Sequence, residues 1–310
     1  GERGKRRRSD VILYARHLEE NLSALQRELR QRRVRVGEYH YFTIYEPKER
    51  LICAASFRER VLHHAIMNVL EPALERFQIY DSYACRKGKG TEAALLRALH
   101  FCRRHTYYLK LDVRKYFDSI PHDRLLVLLE RRIKDAPLLE LLRGILDPYH
   151  RLPGRGVPIG NLTSQHLANF YLAHVDHLAK DRLQSPGYIR YMDDMLLFAD
   201  SHRWLRSVER QLRDFVNHEL DLELKPPVTG PVAGGVLFLG FIITPRGIYL
   251  SRRKRRLARR RTGHAYGELA SGRWSQAELA ARLLPIFAHL SLARSRSFRQ
   301  HLLQRWDHGL

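Results

Sequence analysis

The sequence predicts an α+β fold in which amphipathic helices alternate with short antiparallel strands, and three observations predict it. Tyr188-Ile189-Arg190 and Met195-Leu196-Leu197-Phe198 are apolar, strand-like runs separated by Tyr191-Met192-Asp193-Asp194, the pattern of a β-hairpin closed by a tight polar turn. Tyr107-Tyr108-Leu109-Lys110-Leu111-Asp112-Val113 alternates as a half-buried strand does and ends in an acid. Elsewhere apolar residues recur at helical spacing, beginning with Tyr14, Leu18, Leu22, Leu25 and Leu29.

Taken in order, that first series predicts one amphipathic helix over residues 11–29. A hairpin is expected over 39–51, a helix over 57–74, and a helix over 92–104 leading into the strand that ends at Asp112. Pro121, a favoured first helical residue, opens the helix His122-Asp123-Arg124-Leu125-Leu126-Val127-Leu128-Leu129-Glu130. A long helix over 166–183 turns Leu167, Phe170, Tyr171, Val175 and Leu178 to a core. After the Asp193 hairpin come a helix over about 203–219 and strands near 236–243 and 247–250, with Pro245-Arg246-Gly247 as a turn. Beyond Ser251 the chain is helical in character, and Trp274, Leu279, Leu283, Leu284 and Phe287 can bury a small bundle. No internal repeat is present.

Size and charge narrow the function. A chain of 310 residues buries a proper core, divided among two or three subdomains, and 44% hydrophobic residues exclude wholesale disorder. No apolar run approaches the roughly 18–20 residues of a membrane span, and no signal-peptide pattern opens the chain, so a cytoplasmic protein is expected. With 55 basic against 33 acidic residues the net charge is +22, which calls for a polyanionic partner. Basic residues concentrate at 5–8, 27–35 and 252–261, the last with eight in ten. This run reads as a helix lying along a nucleic-acid backbone, with an idle solvated face as the alternative. Cys53, Cys85 and Cys102 form no Cys-x-x-Cys pair, which argues against a zinc knuckle or a disulfide framework. His63-His64 and His174/His177 are read as surface or core histidines.

Adjacent carboxylates in a turn repel unless a cation lies between them, and all-oxygen ligands suit a hard ion such as Mg2+. Phosphoryl transfer with two metals takes carboxylates from separate segments, and Asp112, at a strand end, is the best second source. Asp118 reads as a cap or buttress of the turn that follows.

Leu-Asp-Val-x-x-x-Phe at 111–117 together with Tyr191-Met192-Asp193-Asp194 resembles the palm of a reverse transcriptase. The resemblance implies a right-hand polymerase: a basic helical extension over 1–36, fingers over 37–106, an antiparallel palm over 107–244 and a helical thumb over 245–310. It implies Asp112, Asp193 and Asp194 as ligands of two Mg2+ ions, with the Val113 carbonyl as a further ligand. It makes Phe117 the gate against a 2′-hydroxyl. Glu46-Pro47-Lys48-Glu49-Arg50-Leu51-Ile52 and Asp81-Ser82-Tyr83-Ala84-Cys85-Arg86-Lys87-Gly88-Lys89-Gly90 are similar to fingers segments, with Lys48 and Arg50 reaching the incoming triphosphate. Leu224-Lys225 resembles the segment whose lysine protonates the leaving pyrophosphate, and Phe238-Leu239-Gly240-Phe241 the primer-gripping hairpin.

Gly156-Val157-Pro158-Ile159-Gly160-Asn161-Leu162-Thr163-Ser164-Gln165 departs from the common pattern. Most reverse transcriptases have Pro-Gln-Gly, then Ser-Pro; here Ile159 replaces the Gln, Gly160 is kept, and Gln165 replaces the Pro. This combination resembles the enzymes of diversity-generating retroelements, which copy a template RNA into cDNA while misreading adenines, so that the altered copy replaces part of a variable gene. A Gln side chain hydrogen-bonds beside the nascent pair and Ile cannot, a loss on the order of 1 kcal/mol of discrimination. That resemblance implies template RNA, primer, deoxynucleotides and a pentameric accessory variability determinant protein as partners. The competing expectations are a retron or group II intron enzyme of normal fidelity, or a basic RNA-binding scaffold without catalysis.

Overall fold

The computed structural model describes residues 9–45, 49–149 and 152–307, with the backbone alone at 50, 306 and 307. The chain begins with helices α1 (Ser9–Arg16) and α2 (Leu18–Arg30), a hairpin of β1 (Tyr39–Ile44) and β2 (Arg50–Ala55), and helix α3 (Phe57–Arg76). Helix α4 (Thr91–Arg104) leads into β3 (Tyr107–Asp112), followed by α5 (Tyr116–Ser119), α6 (His122–Glu130) and α7 (Ala136–Leu146). Helix α8 (Leu162–His177) runs into a π-helical turn (Leu178–Arg182) and then the hairpin of β4 (Gly187–Tyr191) and β5 (Asp194–Ala199). After α9 (His202–His218) come β6 (Val228–Pro231), β7 (Val236–Phe238), β8 (Phe241–Thr244) and β9 (Gly247–Leu250). Helices α10 (Arg252–Ala270), α11 (Gln276–Leu290) and α12 (Arg296–Asp307) complete the described chain.

These elements fall into two compact units. One comprises Gly1–Arg86, Asp112–Gln184 and Arg210–Pro226; the other comprises Lys87–Leu111, Ser185–Glu209 and Pro227–Leu310. In the first, α8 is buried on nearly every side, with Leu167, Ala168, Phe170, Tyr171 and Leu172 all at 0% exposure. A helix buried on so many sides belongs at a centre, and α3 and α6 pack against it. The ends of these helices are closed by local donors and acceptors. Ser56 accepts from the Glu59 N–H at the start of α3, and Asp135 accepts from the Leu138 N–H at the start of α7. Helix α1 lies on α3 through Val11, Tyr14 and Phe57, with Arg60 bonded to Asp10 at 2.9 Å.

The second unit is built on sheets. Strands β4, β5, β3 and β6 are neighbours in that order; β4 pairs antiparallel with β5, and β3 with β6. Tyr188, Ile189 and the run 195–198 are fully buried, so the hairpin is covered on both faces, and α4 supplies one cover through Phe101 stacked on Phe198 at 5.6 Å. A second sheet, β7-β8-β9, precedes the helical bundle. Ser251 caps α10, and a reciprocal Ser275–Glu278 capping box opens α11.

Three local expectations are corrected. The helix expected over 11–29 is two helices. His17 leaves helical geometry (φ −120°, ψ 44°), and the Asn21 side chain donates to the Tyr14 carbonyl across the break at 3.0 Å. The helix expected over 166–183 starts earlier, at Leu162, and its last turn is π-helical. Pro121 caps α6 in an extended conformation rather than serving as its first residue.

Gly187 on β4 tests the packing. A Cβ there would stand 2.9 Å from the Phe198 Cβ and 3.0 Å from the Phe101 ring. Gly187→Val should lower stability by about 1–3 kcal/mol through overpacking, read as a lower denaturation midpoint in urea.

Candidate active site

The Asp193 hairpin is closed by a two-residue turn, because Tyr191 pairs with Asp194 and Arg190 with Met195. Such a turn needs positive φ where glycine is usual, yet Met192 occupies it at φ 57°. The strained carbonyl is held from inside: Arg190, at 0% exposure, donates from its guanidinium to the Met192 oxygen at 3.0 Å. Thr91 and the Tyr191 hydroxyl meet at 3.3 Å on α4. Asp194 Oδ2 accepts from Lys110 Nζ at 2.9 Å, and the same ammonium donates to the Leu237 carbonyl at 3.0 Å. Lys110 thus ties β3, β5 and β7 together within the second unit.

Asp112 ends β3 and belongs to the first unit. Its Oδ1 accepts from Lys225 Nζ at 2.5 Å, and its carbonyl accepts from the Lys225 N–H at 2.9 Å. The Val113–Leu224 bridge is completed by the Arg114 N–H on the Glu223 carbonyl, and neither of its two hydrogen bonds uses the Val113 carbonyl. Lys225, expected at the leaving pyrophosphate, is here the partner of Asp112. Phe117 sits half-buried on α5, whose backbone is tied to the 156–157 segment by the Val157 N–H on the Phe117 carbonyl at 2.8 Å. Asp118 is the expected buttress, accepting from the Tyr149 hydroxyl at 3.0 Å.

The segment that departs from the family pattern is fixed by its main chain. The Cys53 N–H on β2 donates to the Ile159 carbonyl at 2.8 Å. Gly160 has φ +116°, a conformation that strains any side chain, and a Cβ there would also crowd the Cys53 oxygen at 3.1 Å. Gln165, in the first turn of α8, accepts from the Cys85 thiol at 3.4 Å. Lys48 lies outside the described residues; the backbone of Arg50 opens β2 opposite Ile44.

At the expected primer-gripping hairpin, Phe238 and Phe241 are paired and fully buried. The turn residues Leu239 and Gly240 both have positive φ, 50° and 79°. Lys254 of α10 reaches this turn, donating to the Leu239 carbonyl at 3.3 Å and to His289 Nε2 at 2.5 Å, with its ammonium 3.4 Å from the centre of the Phe241 ring.

Asp112 and Lys225, Phe117, Ile159, Gly160 and Gln165 therefore belong to one unit, and Asp193, Asp194 and the 238–240 turn to the other. Strands β3, ending in Asp112, and β5, beginning with Asp194, are neighbours in one sheet. Among the described residues no three His, Cys, Asp or Glu side chains stand as a metal-holding group. Lys110 and Arg190 were not singled out from sequence as site residues; the signal for Lys110 was its position two residues before Asp112, on the same face of the strand.

The chain matches the family model of the reverse transcriptase (RNA-dependent DNA polymerase) over residues 46–243. It belongs to that family. A segment of 139 residues is 30% identical to the uncharacterized 91 kDa protein in cob intron of Schizosaccharomyces pombe, covering 43% of this chain and 17% of that protein. Protein YkfC of Escherichia coli is 24% identical over 246 residues, 64% of this chain and 65% of YkfC. The chain thus spans less than two thirds of either relative, and only about a sixth of the first. The structure of apo telomerase from Candida tropicalis, truncated from its C-terminal domain, superposes with a TM-score of 0.55 at 12% identity, covering 69% of this chain and 55% of that one. The shared fold is the α+β right-hand polymerase class expected from sequence. No helix among the described residues is long and apolar enough to cross a membrane.

Burial pushes the Lys254 ammonium down from 10.5 to about 8. Between those values the unfolded chain binds more protons than the folded one, so this residue's contribution to stability rises with pH there and is constant below. Melting temperatures of the wild type and Lys254→Met measured across that window should diverge, the wild type gaining relative to the variant. Parallel profiles would show that Lys254 is solvated.

Proposed function

We propose that the protein is an RNA-directed DNA polymerase that extends a primer on template RNA, using residues 37–106 as fingers, 107–244 as palm and 245–310 as thumb, behind the 1–36 extension. The observation that carries this is the carboxylate arrangement: Asp112 ends β3, Asp193 sits in the turn of the β4–β5 hairpin, Asp194 opens β5, and β3 and β5 are neighbours in the same sheet.

The donor set suits Mg2+. It consists of carboxylate oxygens, and Asp112 and Asp194 already draw a cation, each holding a lysine ammonium. In this reading Asp112, Asp193 and Asp194, with the Val113 carbonyl, hold two ions. Ions held by these residues would supply activation of the primer 3′-hydroxyl and neutralisation of charge on the departing pyrophosphate. Lys225 holds a proton at Nζ beside Asp112 and is the candidate donor to pyrophosphate. Lys48 and Arg50 contact the triphosphate, Phe117 screens the sugar, and Ile159, Gly160 and Gln165 line the nascent pair. Phe238, Leu239 and Gly240 grip the primer. Asp112→Asn and Asp193→Asn should bind template–primer yet lose Mg2+-dependent extension by at least about a hundredfold. Extension at wild-type rate by either variant would remove that residue from the assignment.

The finer reading is a diversity-generating retroelement polymerase that misincorporates opposite template adenine and works with the accessory variability determinant pentamer. It is supported by Ile159 and Gln165 in the departing segment. A second reading, an intron-type enzyme of normal fidelity, is favoured by the relative encoded in a cob intron. Sequencing cDNA from a template with all four bases separates them. Errors concentrated at adenine, falling roughly fivefold to tenfold in Ile159→Gln, support the retroelement. Faithful copies from the wild type support the intron class.

A further inference from the structure

A groove of about 1220 Å³ lies within the first unit, walled by the end of α3, by α6, by the end of α8 with its π-helical turn, and by the end of α9. It shares no residue with the carboxylates or with the departing segment. Its floor is apolar, with Leu128, Leu178, Phe215 and Leu220. Its rim carries Arg76, Arg131, Arg132 and Arg182, all exposed. None of these four has a carboxylate in ion-pair range among the described residues, whereas Arg86 and Arg155 are paired with Glu75 and Asp221. Arg124, also in the groove, is spent on the His218 and Glu219 carbonyls. The acids present are Asp123, Glu219 and Asp181, and Asp181 is turned to His177 at 2.6 Å.

An aromatic cluster stands at the wall. Phe77 packs against His174 and His177 at 4.8 and 4.5 Å, and Arg132 lies over the Phe77 ring at 4.2 Å. Burial, then His177 and the arginines, pushes His174 down to about 4, so this ring is a neutral surface at neutral pH. The π-helical turn that carries Asp181 and Arg182 is a geometry frequent at functional sites.

We infer that this groove binds single-stranded RNA, phosphates on the arginine rim and bases against the apolar floor and the Phe77–Arg132 stack. The volume exceeds the ~300–1,000 Å³ of small-molecule sites, which favours a polymer segment. Unneutralised arginines recognise phosphate by their planar forks, and unpaired bases are held by aromatic and guanidinium surfaces. A duplex, its bases stacked inside, makes no use of the floor.

The test measures anisotropy of a short fluorescein-labelled oligouridylate on the full chain, without primer or nucleotides, so that the result does not depend on any polymerase activity. Arg131→Glu/Arg132→Glu should weaken binding about tenfold at physiological salt and lower the slope of log affinity against log salt by about 1.4. Arg76→Glu/Arg182→Glu, on other walls, should do the same. Photocrosslinks from 4-thiouridine should fall on peptides containing Phe77 or His177. Unchanged affinity and slope in both double variants, or crosslinks confined to other peptides, would overturn the inference. So would polyglutamate binding as tightly as the RNA with the same losses in the variants, which would make the groove a seat for an acidic protein.

Discussion

Negative charge at the ends of neighbouring strands must be met by positive charge, and the chain meets it with two lysines. Lys110 serves Asp194 and Lys225 serves Asp112, each at hydrogen-bond distance. Lys110 does so from two residues before Asp112, by the alternation of β3, while Lys225 is brought in by the bridge between Val113 and Leu224. Charge-assisted bonds of this kind are stronger and more directional than neutral ones. Each fixes its carboxylate in place, and Lys110 carries the constraint onward to β7 through the Leu237 carbonyl.

The parts legible in the sequence were those with a local cause. The alternation of 107–113 and the apolar runs around Asp193 gave β3 and the hairpin, and Phe238-Leu239-Gly240-Phe241 gave a turn whose glycine takes positive φ. What was hidden depends on side-chain contacts that hydrophobic periodicity does not encode, some local and some between distant strands. The break at His17 is sealed by Asn21, α8 passes into a π-helical turn of which only Ala179 is buried, and Lys110 gains its meaning only when β5 and β7 are beside it. Arg190 read as a strand residue; that it is buried whole to steady a left-handed methionine follows from the fold alone.

Basic charge is distributed by the same logic of surfaces. Helix α10 turns Ala258, Thr262, Ala265 and Tyr266 inward and carries its arginines outward, two of them over Phe298. The rim of the groove in the first unit is different in kind, because its arginines come from three separate elements and surround apolar ground. A single amphipathic helix displays charge along a line; convergence from several walls gives it shape.

The attachment of Ile159 has a consequence for what this position can accept. The fold grips that residue by its carbonyl, through the Cys53 N–H, and leaves the side chain half-exposed. The backbone bond is indifferent to the identity of the side chain, whereas any side chain at the neighbouring Gly160 would be strained by its positive φ and crowded against the Cys53 carbonyl. Position 159 therefore joins a fixed main chain to a free choice of side chain: its chemistry can be exchanged without moving the strand that holds it.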